Sequence, residues 1–79
     1  MRLDKFLKVS RIIKRRTVAN EACDAARVSV NGRPVKPSYQ VKVGDVLEIS
    51  FGRGALKVEV TDVRETAGKA EAGAMYREL

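Results

Sequence analysis

The stretch Arg27-Val28-Ser29-Val30-Asn31-Gly32-Arg33-Pro34-Val35 decides the fold. Val28 and Val30 alternate with a polar neighbour at the period of a strand. Asn31-Gly32 is the strongest short hairpin signal, because a two-residue turn that matches strand twist needs positive φ at both positions. Arg33-Pro34-Val35 starts the return, and Pro34 and Pro37, which donate no ladder bond, make it an edge or irregular connection. Upstream the period is helical. Thr17 is the expected N-cap of a helix running to about Ala26, with Val18, Ala22 and Ala25 at i, i+4 and i+7. Before it, Leu3, Phe6 and Leu7 form the apolar stripe of a short amphipathic helix whose other face carries Arg2, Lys5 and Lys8. Ser10 is expected to cap a next turn anchored by Ile12 and Ile13, and Lys14-Arg15-Arg16 makes a basic corner between the two helices.

Downstream, Val41-Lys42-Val43 leads into the turn pair Gly44-Asp45. Two strands are expected next, over 46–51 and 56–63, joined by the turn Gly52-Arg53-Gly54. Residues 66–74 show no period and read as a mobile linker, and Glu71 to Leu79 as a helical turn with Met75 and Leu79 at i, i+4. The expected class is α+β: two N-terminal helices with a basic corner, packed on a small, mostly antiparallel sheet. Residues 1–64 form the domain and 65–79 a C-terminal linker and tail.

With 79 residues the chain holds one small domain, and with 44% hydrophobic but only 5% aromatic residues its core is thin. Cys23 is the single cysteine, so no disulfide braces the chain, and a reducing, cytoplasmic setting is expected. With an acid in Met1-Arg2-Leu3-Asp4-Lys5 and no run approaching the roughly 18 apolar residues of a membrane helix, neither secretion nor membrane insertion is expected. There is no histidine, which removes histidine acid–base chemistry, Ser-His and Cys-His nucleophile activation and HExxH metal sites. Zinc lacks ligands of its preferred kind, the carboxylates are scattered singly, and Gly52-Arg53-Gly54 lacks the rest of a dinucleotide or phosphate-loop fingerprint. No catalytic residue, metal or cofactor is expected.

The net charge of +6 is not spread evenly. Residues 1–16 hold seven cations (Arg2, Lys5, Lys8, Arg11, Lys14, Arg15, Arg16) against the single acid Asp4, whereas residues 41–79 hold six cations against seven acids. A basic front and a neutral back, with a pI near 9.9, point to a polyanionic partner. Nucleic acid comes first and an anionic membrane surface second; the plain alternative is that these cations only solvate a surface. Arg33 and Lys36 around the Asn31-Gly32 turn extend the candidate surface. Arginine forks and lysine point charges suit phosphate, and with Phe6 on the apolar stripe and Tyr39 the one aromatic in a nearby loop, backbone and shape recognition of folded RNA fits better than base stacking. An adaptor for an acidic protein or lipid, and an enzyme acting on RNA, are the competing classes.

The residues Arg2-Leu3-Asp4-Lys5-Phe6-Leu7, Ser10-Arg11, Arg15-Arg16-Thr17-x-Ala19, Arg27-Val28-x-Val30-Asn31-Gly32-x-x-Val35-Lys36 and Val43-Gly44-Asp45 together resemble the S-four-type RNA-binding domain over about residues 1–50. Among stand-alone members the chain looks most like the RqcP branch of ribosome-associated quality-control factors, whose tail Ala74-Met75-Tyr76 also resembles, and next like the heat-shock-protein-fifteen branch. The resemblance implies binding to large ribosomal subunits obstructed by peptidyl-tRNA, through rRNA and tRNA. It also implies stabilisation of that tRNA while an RqcH-type partner protein directs C-terminal alanine tailing. It singles out Arg2 and Arg16, flanked by Lys5, Lys8, Arg11, Lys14 and Arg15; a monomer is the default expectation, and the thin apolar face of the first helix argues against a membrane partner. The family usually has Gly where this chain has Ala26, and a left-handed alanine there costs about 1 kcal/mol. Asp4 is read as the intramolecular partner of an arginine such as Arg16, Cys23 as a small structural residue, and Tyr39 as structural.

Overall fold

A computed structural model describes all 79 residues, Met1–Leu79. Helix α1, Leu3–Val9, buries Leu3, Phe6 and Leu7, the stripe expected from their i, i+3, i+4 spacing. Ser10 ends this helix and does not open another turn: its hydroxyl donates back to the Leu7 carbonyl at 3.3 Å. Arg11 follows at φ 64°, a left-handed position that glycine usually fills. The reversal lets Ile13 donate its N–H to the Leu7 carbonyl at 3.1 Å and bury its side chain.

Helix α2, Arg16–Asp24, starts one residue before Thr17, with Arg15 at the N-cap position and no side-chain cap. Its buried residues are Ala19 and Cys23, with Ala22 half-buried against the core, as expected; Val18, at 46%, and Ala25 are exposed instead. Two small residues one turn apart let the α2 backbone approach α1 closely, and that contact outweighs the hydrophobicity of a lone valine. The helix ends in a Schellman motif: Arg27 N–H donates to the Ala22 carbonyl at 2.9 Å and Ala26 N–H to the Cys23 carbonyl at 3.0 Å. Ala26 therefore adopts φ 59°, so of the two outcomes the sequence leaves open, a different helix end or a left-handed alanine, the chain takes the second.

The sheet has five antiparallel strands in the order β2-β1-β3-β4-β5: β1 Val28–Val30, β2 Arg33–Pro34, β3 Val46–Phe51, β4 Gly54–Val60 and β5 Tyr76–Glu78. Asn31 and Gly32 turn the first hairpin with φ 51° and 86°. Register aligns Val28 with Ile49, Val30 with Leu47, and Leu47 with Val58, so one face is apolar and meets Leu3, Phe6 and Leu7 in a single core. Strand β4 begins at Gly54 and stops at Val60, earlier at both ends than the expected 56–63.

The C-terminal segment is built into the fold. Residues 66–74, expected as a mobile linker, include the short helix α3, Lys69–Ala72, with Ala72 buried and Ala67 packed on the core. The expected helical turn at the end is instead strand β5 on the β4 edge, where Met75 is fully buried and its carbonyl accepts from Thr61 and Asp62 at 2.9 and 3.2 Å.

The loop between β2 and β3 holds the N-terminus. Leu3 N–H donates to the Tyr39 carbonyl at 2.8 Å, Val41 N–H to the Met1 carbonyl at 2.9 Å, and Asp4 N–H to the Pro37 carbonyl at 3.2 Å. Buried Asp45 fixes this loop by accepting from Lys42 N–H (2.9 Å), Tyr39 hydroxyl (3.1 Å) and Asn31 Nδ2 (3.2 Å). Tyr39 is thus structural, and burial together with Asp45 raises the pKa of its hydroxyl.

Candidate nucleic-acid interface

The basic surface is organised around a buried acid. Asp4 lies in the first turn of α1, where a carboxylate complements the free N–H groups of a helix start, and its side chain is only 3% exposed. Arg2, from the extended residue before the helix, donates from Nε and Nη2 to its two oxygens, both at 3.1 Å. Lys5 N–H donates at 2.8 Å, and Asn20 Nδ2, from α2, at 3.2 Å. Arg16 Nη2 lies 3.6 Å from Oδ1. Burial pushes the Asp4 pKa up, but the Arg2, Asn20 and Lys5 hydrogen bonds and the Arg16 charge outweigh it and hold the group below its ordinary value. Asp4 is therefore ionised near neutrality, a positioning group and a poor general base.

Arg2, just before α1, and Arg16, at the start of α2, converge on Asp4 while remaining 45% and 47% exposed. A guanidinium presents five donors, so each arginine keeps outward N–H groups for a phosphate after meeting Asp4. Beside them runs an open groove of about 620 Å³. Lys5, Lys8, Arg11, Lys14 and Arg16 line it, facing a wall made by Glu65, Thr66 and Ala67. The left-handed Arg11 makes this possible, because the reversal after α1 carries Arg11 and Lys14 to the side that Lys5 and Lys8 already occupy.

Of the other candidate cations, Arg2 meets Asp4 without lining the groove, and Lys36 is exposed, also outside the groove lining, just before Pro37, whose carbonyl accepts from Asp4 N–H. Arg15, exposed at the α2 N-cap, and Arg33, exposed on edge strand β2, do not line the groove. Two participants carried little sequence signal. Asn20 lies one helical turn after Arg16, a spacing visible in the sequence but chemically mute until Asp4 is placed beside it. Glu65 forms an ion pair with Lys5, 60 positions away, which nothing local announces.

Cys23 lies near this cluster but does not belong to it. Burial, with the Asp4 and Asp24 charges, pushes its thiol pKa to about 11, so it stays protonated and a weak nucleophile. No three His, Cys, Asp or Glu side chains converge on a possible metal position, and no helix is long and apolar enough to cross a membrane.

The family model described as the S4 domain matches residues 1–47, which span both helices, the first hairpin and the Asp45 loop. The chain belongs to the S4 domain family. Beyond the S4 domain match, the chain is 55% identical over 76 residues to a protein of Halalkalibacterium halodurans named RQC P-site tRNA stabilizing factor, covering 96% of this chain and 86% of that one. It is 53% identical, again over 76 residues, to the protein of the same name from Bacillus subtilis, covering 96% and 88%. The trimeric structure of Vibrio cholerae Heat Shock Protein 15 superposes on this S4 domain protein with a TM-score of 0.93 at 30% identity, over 100% of this chain and 81% of that one.

Proposed function

We propose that this protein is a non-enzymatic RNA-binding factor of ribosome-associated quality control. It binds large ribosomal subunits obstructed by peptidyl-tRNA, contacts rRNA and tRNA, and steadies the tRNA while C-terminal alanine tails are added. The observation that carries the reading is the one-sided groove of five cations with Arg2 and Arg16 oriented on buried Asp4. It is a surface for phosphates held by a rigid scaffold and provides no activated nucleophile. The relatives that match nearly the whole chain and are named RQC P-site tRNA stabilizing factor support the part of this reading that concerns steadying tRNA.

In this reading Arg2, Lys5, Lys8, Arg11, Lys14 and Arg16 form the primary contact, and Arg15, Arg33 and Lys36 extend it. The protein works in the cytoplasm as a monomer beside an RqcH-type partner. Cosedimentation with separated small subunits, large subunits and intact ribosomes at two salt concentrations, with and without peptidyl-tRNA on the large subunit, tests it. Selective pelleting with the tRNA-bearing large subunit is expected. Equal pelleting with every particle would reduce the protein to a general basic RNA binder.

A further inference from the structure

Glu65 is the one acid lining the basic groove, and the fold holds it there. On its N-terminal side Val63 packs on the core, and on its C-terminal side Ala67 does the same. Neighbouring Arg64 clamps the segment by donating from Nε to Asp62 at 2.5 Å and from Nη1 to Glu71, in α3, at 3.2 Å. From this fixed connection the Glu65 carboxylate reaches Lys5 Nζ. The Lys5 hydrogen bond and charge pull the Glu65 pKa below its ordinary value, so the carboxylate is charged near neutrality.

We infer that Glu65 is a built-in competitor for RNA phosphate at Lys5, which an RNA backbone must displace to occupy the groove. The inference rests on the RNA-binding reading and adds a regulation of that surface. A carboxylate presents to an ammonium group the same thing a phosphodiester does, two oxygens sharing one negative charge, so the two compete for the single charge of Lys5 and repel each other when both are beside it. Glu65 is 76% exposed and Lys5 34%, which makes their pair exchangeable, unlike the buried contacts of Asp4. A lone phosphate gains little by replacing Glu65. An RNA backbone that also reaches Lys8, Arg11, Lys14 and Arg16 gains several contacts from the same displacement. Glu65 therefore biases the groove against isolated anions and toward closely spaced phosphates.

The test compares Glu65→Gln with wild type in binding to a fluorescein-labelled hairpin RNA. Glu78→Gln, exposed on the far strand β5, is the control with the same change in net charge. Glu65→Gln is expected to bind about two- to fivefold more tightly at low salt, the range of one exposed ion pair, with the gain vanishing at about 0.5 M salt. Glu78→Gln is expected to gain less than half as much. In a Lys5→Gln background the Glu65→Gln gain should disappear, since the coupled partner is gone. Unchanged or weakened binding by Glu65→Gln, or an equal gain in the Lys5→Gln background, overturns the inference. Titration with inorganic pyrophosphate, followed through the Lys5 and Lys8 amide shifts, separates this from the parent reading. If no variant binds the hairpin RNA, the RNA reading fails, while tighter pyrophosphate binding by Glu65→Gln still supports Glu65 as a phosphate competitor and equal binding refutes it.

Discussion

Asp4→Asn sets two effects of charge against each other. The substitution is nearly isosteric and raises the net charge from +6 to +7, so a count of charges alone predicts tighter binding to RNA. The geometry predicts the reverse. Asp4 accepts from Arg2 twice, from Lys5 N–H and from Asn20 Nδ2, and lies 3.6 Å from Arg16. An asparagine has one acceptor oxygen for these donors, and its own NH2 faces the rest. The arginines are about half exposed, so their share of the stability loss is small. The loss comes mainly from the Lys5 and Asn20 donors left facing a neutral, partly mismatched amide in a buried site, about 2–3 kcal/mol in all. In a domain of this size that lowers Tm by about 10–20 °C. Thermal unfolding by circular dichroism measures the loss. Anisotropy with a labelled structured RNA, at a temperature where the variant is folded, measures binding, which should weaken about tenfold because Arg2 and Arg16 lose their common anchor. A folded Asp4→Asn protein that binds RNA as tightly as wild type, or more tightly, refutes the positioning role.

Arg16→Ala should leave Tm within a few degrees, because the side chain is half exposed, yet weaken RNA binding about tenfold and flatten the plot of log K against log salt by about one unit; unchanged binding with a lowered Tm would make Arg16 structural. Ala26→Gly should raise stability by about 0.5–1 kcal/mol in urea unfolding, since glycine relieves the φ of 59° at the Schellman position and gives back part of that gain through a more flexible unfolded chain. Leu7→Ala removes a fully buried residue at the centre of the core and should cost about 2–4 kcal/mol by the same assay. Because the Asp4 pKa is lowered on folding, its contribution is present above the unfolded-state value and is lost as pH falls through the folded one; stability should decline below about pH 4, and Asp4→Asn should show a shallower acid limb.

The sequence is most legible where structure is local. Leu3, Phe6 and Leu7 mark the inward face of α1, Asn31-Gly32 its hairpin, and the alternation from Val46 to Phe51 the central strand, because each signal lies within one element. It is misleading where side chains are small or partners distant. Small side chains mark a face only weakly, so the periodicity of α2 runs through Val18, which is exposed, and passes over Cys23, which is buried with Ala19. Tyr76–Glu78 has no strand signature of its own; it is a strand because β4 offers an unpaired edge and Met75 an anchor. Around the basic groove, Asp4 as partner to Arg16 was legible from the lone acid among cations. The additional Arg2 and Asn20 contacts, the reversal at Arg11 and the opposing Glu65 needed the packed chain.

Concentrating seven cations in sixteen residues destabilises a compact fold through their mutual repulsion, so anions must lie close by. Two acids meet this demand in different ways. Asp4, 3% exposed and saturated with donors, cannot exchange its partners for a phosphate without exposing a buried charge, so RNA meets the arginines already oriented. Glu65, 76% exposed and meeting a single lysine, can be exchanged at little cost. Burial thus divides one electrostatic task into a permanent counter-ion that shapes the surface and a removable one that sets how much phosphate is needed to occupy it. Asp4→Asn and Glu65→Gln each remove one negative charge, and on this division they change RNA affinity in opposite directions.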